Sequence, residues 1–166
     1  MTDPDSRARR RRQEAARRWR PDAIALLLVV EAPPSALDRF FYFEDVRTHD
    51  SLFRYVVEAV LGEKPTRDKA PYLDALRERG VFLIHMSPDP FHDRREVLPG
   101  CIPDLVGRIR ALSPRRVALV GAPVYDVAYA ALEEAGVPVM AVRLPYPGSG
   151  QQRRFLDGFR QALSCG

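Results

Sequence analysis

Cysteine is scarce in this sequence. Two occur in 166 residues, Cys101 and Cys165, far apart and with no histidine beside either. That number excludes a four-cysteine zinc or iron–sulfur site within one chain. It leaves two free thiols, as a reducing compartment would keep them. Histidine is nearly as rare, with three residues. A metal site drawn from His85, His92 and Asp93 has a spacing that fits no helical or finger pattern, so neither a metal nor another cofactor is expected. No apolar run approaches the roughly 20 residues of a membrane span. The run Ala23–Val30 ends at Glu31. With the basic residues before it, this run resembles a signal peptide, yet Pro21-Asp22 opens it and no A-x-A site follows. A cytoplasmic, monomeric protein without a membrane partner is expected.

Internal repeats, long linkers and a Walker Gly-Lys-Ser/Thr are also missing. What remains is ordinary for a soluble domain: 46% apolar and 29% charged residues, in a length that suits one sizeable core. The net charge of +4 is not ordinary in its placement. Residues 1–20 carry eight arginines against Asp3, Asp5 and Glu14, so residues 21–166 sum to −1. The chain therefore divides into a basic leader, 1–20, and a domain, 21–166. The leader either holds DNA or RNA through counterion release or is a solvated, disordered or fraying helical segment.

Ile24–Val30 reads as a continuous apolar strand, the pattern of a sheet covered on both faces. Asp50 or Ser51 can cap a helix with its stripe at Leu52, Phe53, Val56, Val57, Val60 and Leu61, and Gly62 is placed to end it. A helix near Ala70–Arg79 closes at Gly80, and Val81–Ile84 is a second strand. Ile102, Leu105, Val106, Ile109 and Leu112 mark a third helix, followed by a strand over Arg116–Val120. A helix over Val124–Ala135, a strand over Val137–Leu144 and a last helix with Phe155, Phe159 and Leu163 inward complete the chain. Strands alternating with helices predict an α/β fold with a parallel sheet. Ligands in such sheets bind outside the carboxyl ends of the strands, which gathers the loops after Val30, Ile84, Val120 and Leu144.

Glu31 is the first residue beyond the first strand, and Pro33-Pro34 stiffens the chain behind it, a way to preorganise a carboxylate. Phe40-Phe41-Tyr42-Phe43 follows. Four successive rings cannot all face one core, so either at least one lines a surface or cleft and can stack on a base, or two plug the sheet edge and the others pack on helices. Leu144–Gly150 leads into the last helix, whose N-terminal N–H groups favour an anion, with Arg153 and Arg154 at hand. The same segment also serves as a tight strand-to-helix turn. His85, just past the second strand and level with Glu31, either meets a base edge or moves a proton, or is satisfied by nearby backbone.

At these loops the chain resembles the uracil-DNA glycosylase superfamily. VVEAPP is similar to the Gly-Glu-Ala-Pro-Gly first motif of its thermostable branch, and GVFLIHMSP to the segment whose Asn reads uracil. LPYPGSGQQRRF stands in the place of the His-Pro-Ser-Pro motif. Together they resemble a poorly characterised group with Glu-Ser/Ala-Pro-Pro, Phe-Phe-Tyr and Leu-Pro-Phe/Tyr-Pro-Gly signatures, and the likeness spans nearly all of residues 22–164. It implies a three-layer α/β/α sandwich with a four-stranded parallel sheet of order 2-1-3-4. It also implies a flipped-base pocket made by Glu31, Ala32, Pro33 and Pro34, a ring at Phe41 or Tyr42, His85, and the loop Pro145, Tyr146, Pro147, Gly148 and Ser149.

On that likeness the protein is a DNA glycosylase-like hydrolase of the N-glycosidic bond of a damaged or modified base. Glu31 would orient water, His85 would read the base or support its departure, and Tyr42 or Phe41 would stack on it. Ser149, Arg153 and Arg154 would touch the nucleic-acid backbone. The motifs carry exchanges. Ala32 stands where the main branch has its water-activating Asp, as it also does in the thermostable branch. Val30 replaces the first-motif Gly, His85 the uracil-reading Asn, and Leu144 the third-motif His; the cluster cysteines are absent. The alternative is a non-catalytic module for nucleic acid or a nucleotide that keeps the pocket.

Overall fold

A computed structural model describes residues 3–34, 39–46, 49–90, 97–148 and 150–164. Three parallel strands form the sheet: β1 Leu26–Val30, β2 Val81–His85 and β3 Arg116–Leu119, in the order β2-β1-β3. β1 is central. Its residues pair from Leu26↔Val81 to Val30↔His85 on one side, and from Leu26↔Arg116 to Val29↔Leu119 on the other. Successive side chains of a strand point to opposite faces, and all five of β1 are buried, so both faces are covered. Burying each such side chain contributes about 1.5–3 kcal/mol.

The helices follow the apolar stripes. α2, Ser51–Leu61, starts where Asp50 accepts the N–H of Phe53 at 2.6 Å and stops at Gly62, whose φ of 75° suits glycine. It buries Leu52, Phe53, Val56 and Val57 and packs on α3, Lys69–Glu78. Gly80 then turns with φ 73° against the backbone at Ala23, where a Cβ would sit 2.9 Å from the Ala23 oxygen. α4, Ile102–Leu112, rests on α5, Ala122–Glu134, and α5 on β3. α6, Gln152–Ser164, packs on α2 through its buried face, which holds Phe155 and Phe159. Leu163, expected inward, is exposed; the buried stripe of this helix continues at Ala162 instead.

The expected fourth strand is not a strand. Residues 137–144 run beside β3 and touch the sheet at two isolated bridges, Val117↔Val139 and Val120↔Leu144. Between these bridges the chain departs from the ladder. There Arg143 turns outward to pair with Asp126 of α5 at 2.8 Å. His85 also shifts relative to expectation: it is the last residue of β2 and faces Val30, one position before Glu31.

The leader is helical as α1, Pro4–Arg18. Its Arg12 face is buried against the domain, and Trp19 beyond it lies between the guanidinium groups of Arg18 and Arg77, each 5.3 Å from the ring. Among the described residues no helix is long and apolar enough to cross a membrane.

Candidate functional site

A cleft of about 730 Å³ opens at the carboxyl ends of the strands, within the range of small-ligand sites. Three strand ends build it. The loop after β1 gives Val30 to Pro34, β2 gives His85 and its loop Pro90, and β3 gives way to Val120, Gly121 and Pro123. Tyr146, Arg39, Phe41, Asp50 and the start of α2 (Ser51, Leu52) complete the lining. The strand pairing continues past the ends of β1 and β2. Met86 donates to the Val30 carbonyl at 2.6 Å and Ser87 to the Glu31 carbonyl at 2.9 Å, which locks the two loops together. Gly121 turns at φ 104° and donates to the Leu144 carbonyl at 2.9 Å, tying in the segment before Tyr146.

His85 is held from two directions. Its ring stacks on Phe40 with centroids 5.6 Å apart, and Arg108 of α4 donates to the carbonyls of His85 and Met86, each at 2.8 Å. Burial pushes its pKa down to about 3, and the cations of Arg12 and Arg108 push in the same direction. At neutral pH it is an uncharged imidazole with one donor and one acceptor nitrogen. That form can read a base edge or donate to a developing anion, as neutral imidazoles do elsewhere, but it is not a ready proton source.

The four rings part company. Phe40 lies under His85, and Phe41 is buried between Tyr42 and Phe53 with its edge on the cleft. Tyr42, one of the two rings expected to stack on a base, lies outside the cleft. Its hydroxyl accepts the backbone N–H of Leu83 at 2.8 Å, in the interior, and burial pushes its pKa far up. Phe43 lies under Arg11 of α1 at 5.4 Å. The ring that does present area to the cleft is Tyr146, 47% exposed.

Of the expected site residues, Glu31, Ala32, Pro33, Pro34, Phe41, His85 and Tyr146 therefore meet in one cleft. Pro145, Pro147 and Gly148 shape the turn behind Tyr146, where Gly148 donates to the Tyr146 carbonyl at 2.8 Å, and they do not line the cleft. Arg153 lines a separate hollow of about 250 Å³ with Arg54, Glu58 and Lys64, and Arg154 is exposed on α6. Ser149, His92, Asp93 and Cys165 lie outside the described residues.

Three participants were not foreseen. Arg39 brings a cation to the cleft, and Asp50, besides capping α2, brings a carboxyl whose pKa burial raises. Lys69 is 2% exposed, and its ammonium donates to the carbonyls of Phe40 at 3.3 Å and Phe41 at 2.5 Å. Burial pushes its pKa down to about 8, against the pull of Asp50 and Glu44. It pins the aromatic segment from behind. A charged side chain at the first position of α3 has no local mark of burial.

No protein-family model matches the chain, and a search of curated proteins found no significant match.

Proposed function

We propose that the cleft receives a base flipped out of DNA and that the protein hydrolyses the bond joining that base to its sugar. The observation that carries this reading is the meeting of Glu31, His85, Tyr146 and Arg39 around one cleft with room for a base and its sugar, together with the motif likeness described above. In the proposed reaction Glu31 orients a water and takes its proton as the oxygen attacks the sugar's anomeric carbon. The bond to the base breaks with its electrons leaving on the base, where the neutral His85 donates a hydrogen bond to the developing anion. Tyr146 stacks on the base, and Arg39 faces the backbone. In this reading segment 137–144 stands in for the outer fourth strand of a three-layer sandwich, and the protein works on cytoplasmic DNA.

A second reading has one observation of its own. Leu144, at the place of the third-motif histidine, is 1% exposed and packs against Gly158, so this position offers no group to a departing base. A module that binds a base without cleaving it would tolerate that exchange.

Base release from labelled oligonucleotides decides between them, with uracil, hypoxanthine, xanthine or hydroxymethyluracil in single and double strands. We expect release of at least one base, and a loss of about 10²–10⁴-fold with Glu31→Gln. Retention of one modified base without release supports the second reading. Neither release nor base-dependent retention overturns both.

A further inference from the structure

The arginines of α1 fall on two faces with different employment. On the inner face Arg9 chelates Asp89, with its Nε at 2.9 Å, and the buried Arg12 reaches Asp89 and the Pro88 carbonyl at 3.4 Å each. These contacts hold the Asp89 carboxyl below its usual range and fasten the loop after β2. The next residue, Pro90, lines the cleft, and the Arg12 cation is near enough to His85 to depress its pKa. Arg18 adds an ion pair to Glu44 at 3.2 Å and gives its carbonyl to Arg77 at 3.2 Å. Helix α1 is thus fixed in register with the cleft.

The opposite face holds Arg7, Arg10 and Arg17. With 3.6 residues per turn they lie within one stripe about 140–160° from Arg12, and the stripe is about 15 Å long. All three are exposed, and among the described residues none forms an ion pair. Glu14 is the one carboxylate on that stripe. A surplus of guanidinium groups held rigidly at this spacing suits a polyanion with regular charges. One nucleic-acid strand carries a phosphate per 3.4 Å of duplex axis, so the stripe covers about four.

We infer that α1 is a docked backbone clamp: its outer arginines bind the phosphates of a nucleic acid whose base enters the cleft, while its inner arginines position the cleft's own loop. The choice of nucleic acid over other polyanions rests on the base-binding reading of the cleft. The division of the two faces does not.

The test uses the full chain with Arg7→Gln, Arg10→Gln and Arg17→Gln combined. Binding to a fluorescent 20-mer duplex is followed by anisotropy from 50 to 300 mM salt. Each phosphate contact contributes about 0.9 to the slope of log affinity against log salt. The triple variant should therefore lose about 2–3 from that slope and roughly tenfold or more in affinity near 100 mM salt, with thermal melting unchanged. An unchanged slope overturns the clamp. Tighter binding of the wild type to phosphatidylserine vesicles than to the duplex, lost in the triple variant, overturns it in favour of a membrane surface. The same titrations with modified and unmodified bases separate the two claims. A flattened slope with no base preference in the wild type keeps the clamp and sinks the base-binding cleft; a base preference with an unchanged slope does the reverse.

Discussion

At the scale of the residue, His85 is the group whose environment constrains chemistry most. Desolvation against Phe40 and the cations of Arg12 and Arg108 all disfavour the imidazolium. Its pKa falls from about 6.5 in the unfolded chain to about 3 in the fold. Between those values the unfolded chain binds a proton that the folded one refuses. Its contribution to stability is therefore intact above about pH 6.5 and is lost progressively as pH falls toward 3. The corresponding functional expectation is flatness. Base binding or release between pH 5 and 8 should show no step near 6.5 assignable to His85, and its ring resonances should not titrate there by NMR. A step near 6.5 that disappears in His85→Ala would show that the imidazolium forms in the cleft after all. Glu31 poses a different question, since an orienting carboxylate is tested by its amide: Glu31→Gln keeps shape and hydrogen bonding while removing the base.

At the scale of the element, the aromatic segment behaves as a brace rather than a platform. Lys69 holds its carbonyls, Phe40 supports His85, and Tyr42 accepts the N–H of Leu83 from β2, a strand that among the described residues has a sheet partner on one side only. Tyr42→Phe keeps the ring and leaves that buried N–H unpaired, so it should cost about 1–3 kcal/mol, measured by urea unfolding. The cleft readouts should be spared, because the ring stays in place. A stable Tyr42→Phe protein with damaged base binding would return Tyr42 to the ligand.

Much at this scale was legible because it is local. The cap at Asp50, the stop at Gly62, the apolar run of β1 and the stripes of α2 and α4 are statements about neighbours in sequence, and the structure keeps them. The fourth strand failed as a local statement too. The largely apolar run from Val137 to Leu144 promised a ladder, yet it makes two isolated bridges, with Arg143 turned outward to Asp126 between them. The cleft's location followed from the alternation of strands and helices. The destinations of the four rings, the burial of Lys69 and the work of Arg12 did not: Tyr42, Lys69 and Arg12 are each held by a partner between 28 and 77 residues away.

At the scale of the whole molecule, the boundary drawn at residue 20 separates composition but not packing. Trp19, the single tryptophan of the chain, is 6% exposed between two guanidinium groups, and Arg12 is equally buried over the loop after β2. Removing residues 1–19 therefore strips a large buried ring and leaves Asp89 without its two cations. Truncating a buried aromatic side chain alone costs about 3–5 kcal/mol. The shortened chain should accordingly unfold at a clearly lower urea concentration, followed by circular dichroism since its tryptophan is gone. It should also lose cleft function together with backbone binding. This makes truncation a poor test of what the arginines bind, because a collapse of the loop and a loss of phosphate contacts look alike in it. The triple substitution on the outer face is the cleaner cut, since it removes charge while leaving Arg9, Arg12 and Trp19 in place. A truncated chain as stable as the full one, with an intact base preference, would mean that α1 rests on the domain without shaping it. The leader would then be a basic appendage whose contacts to Asp89 contribute nothing to the cleft.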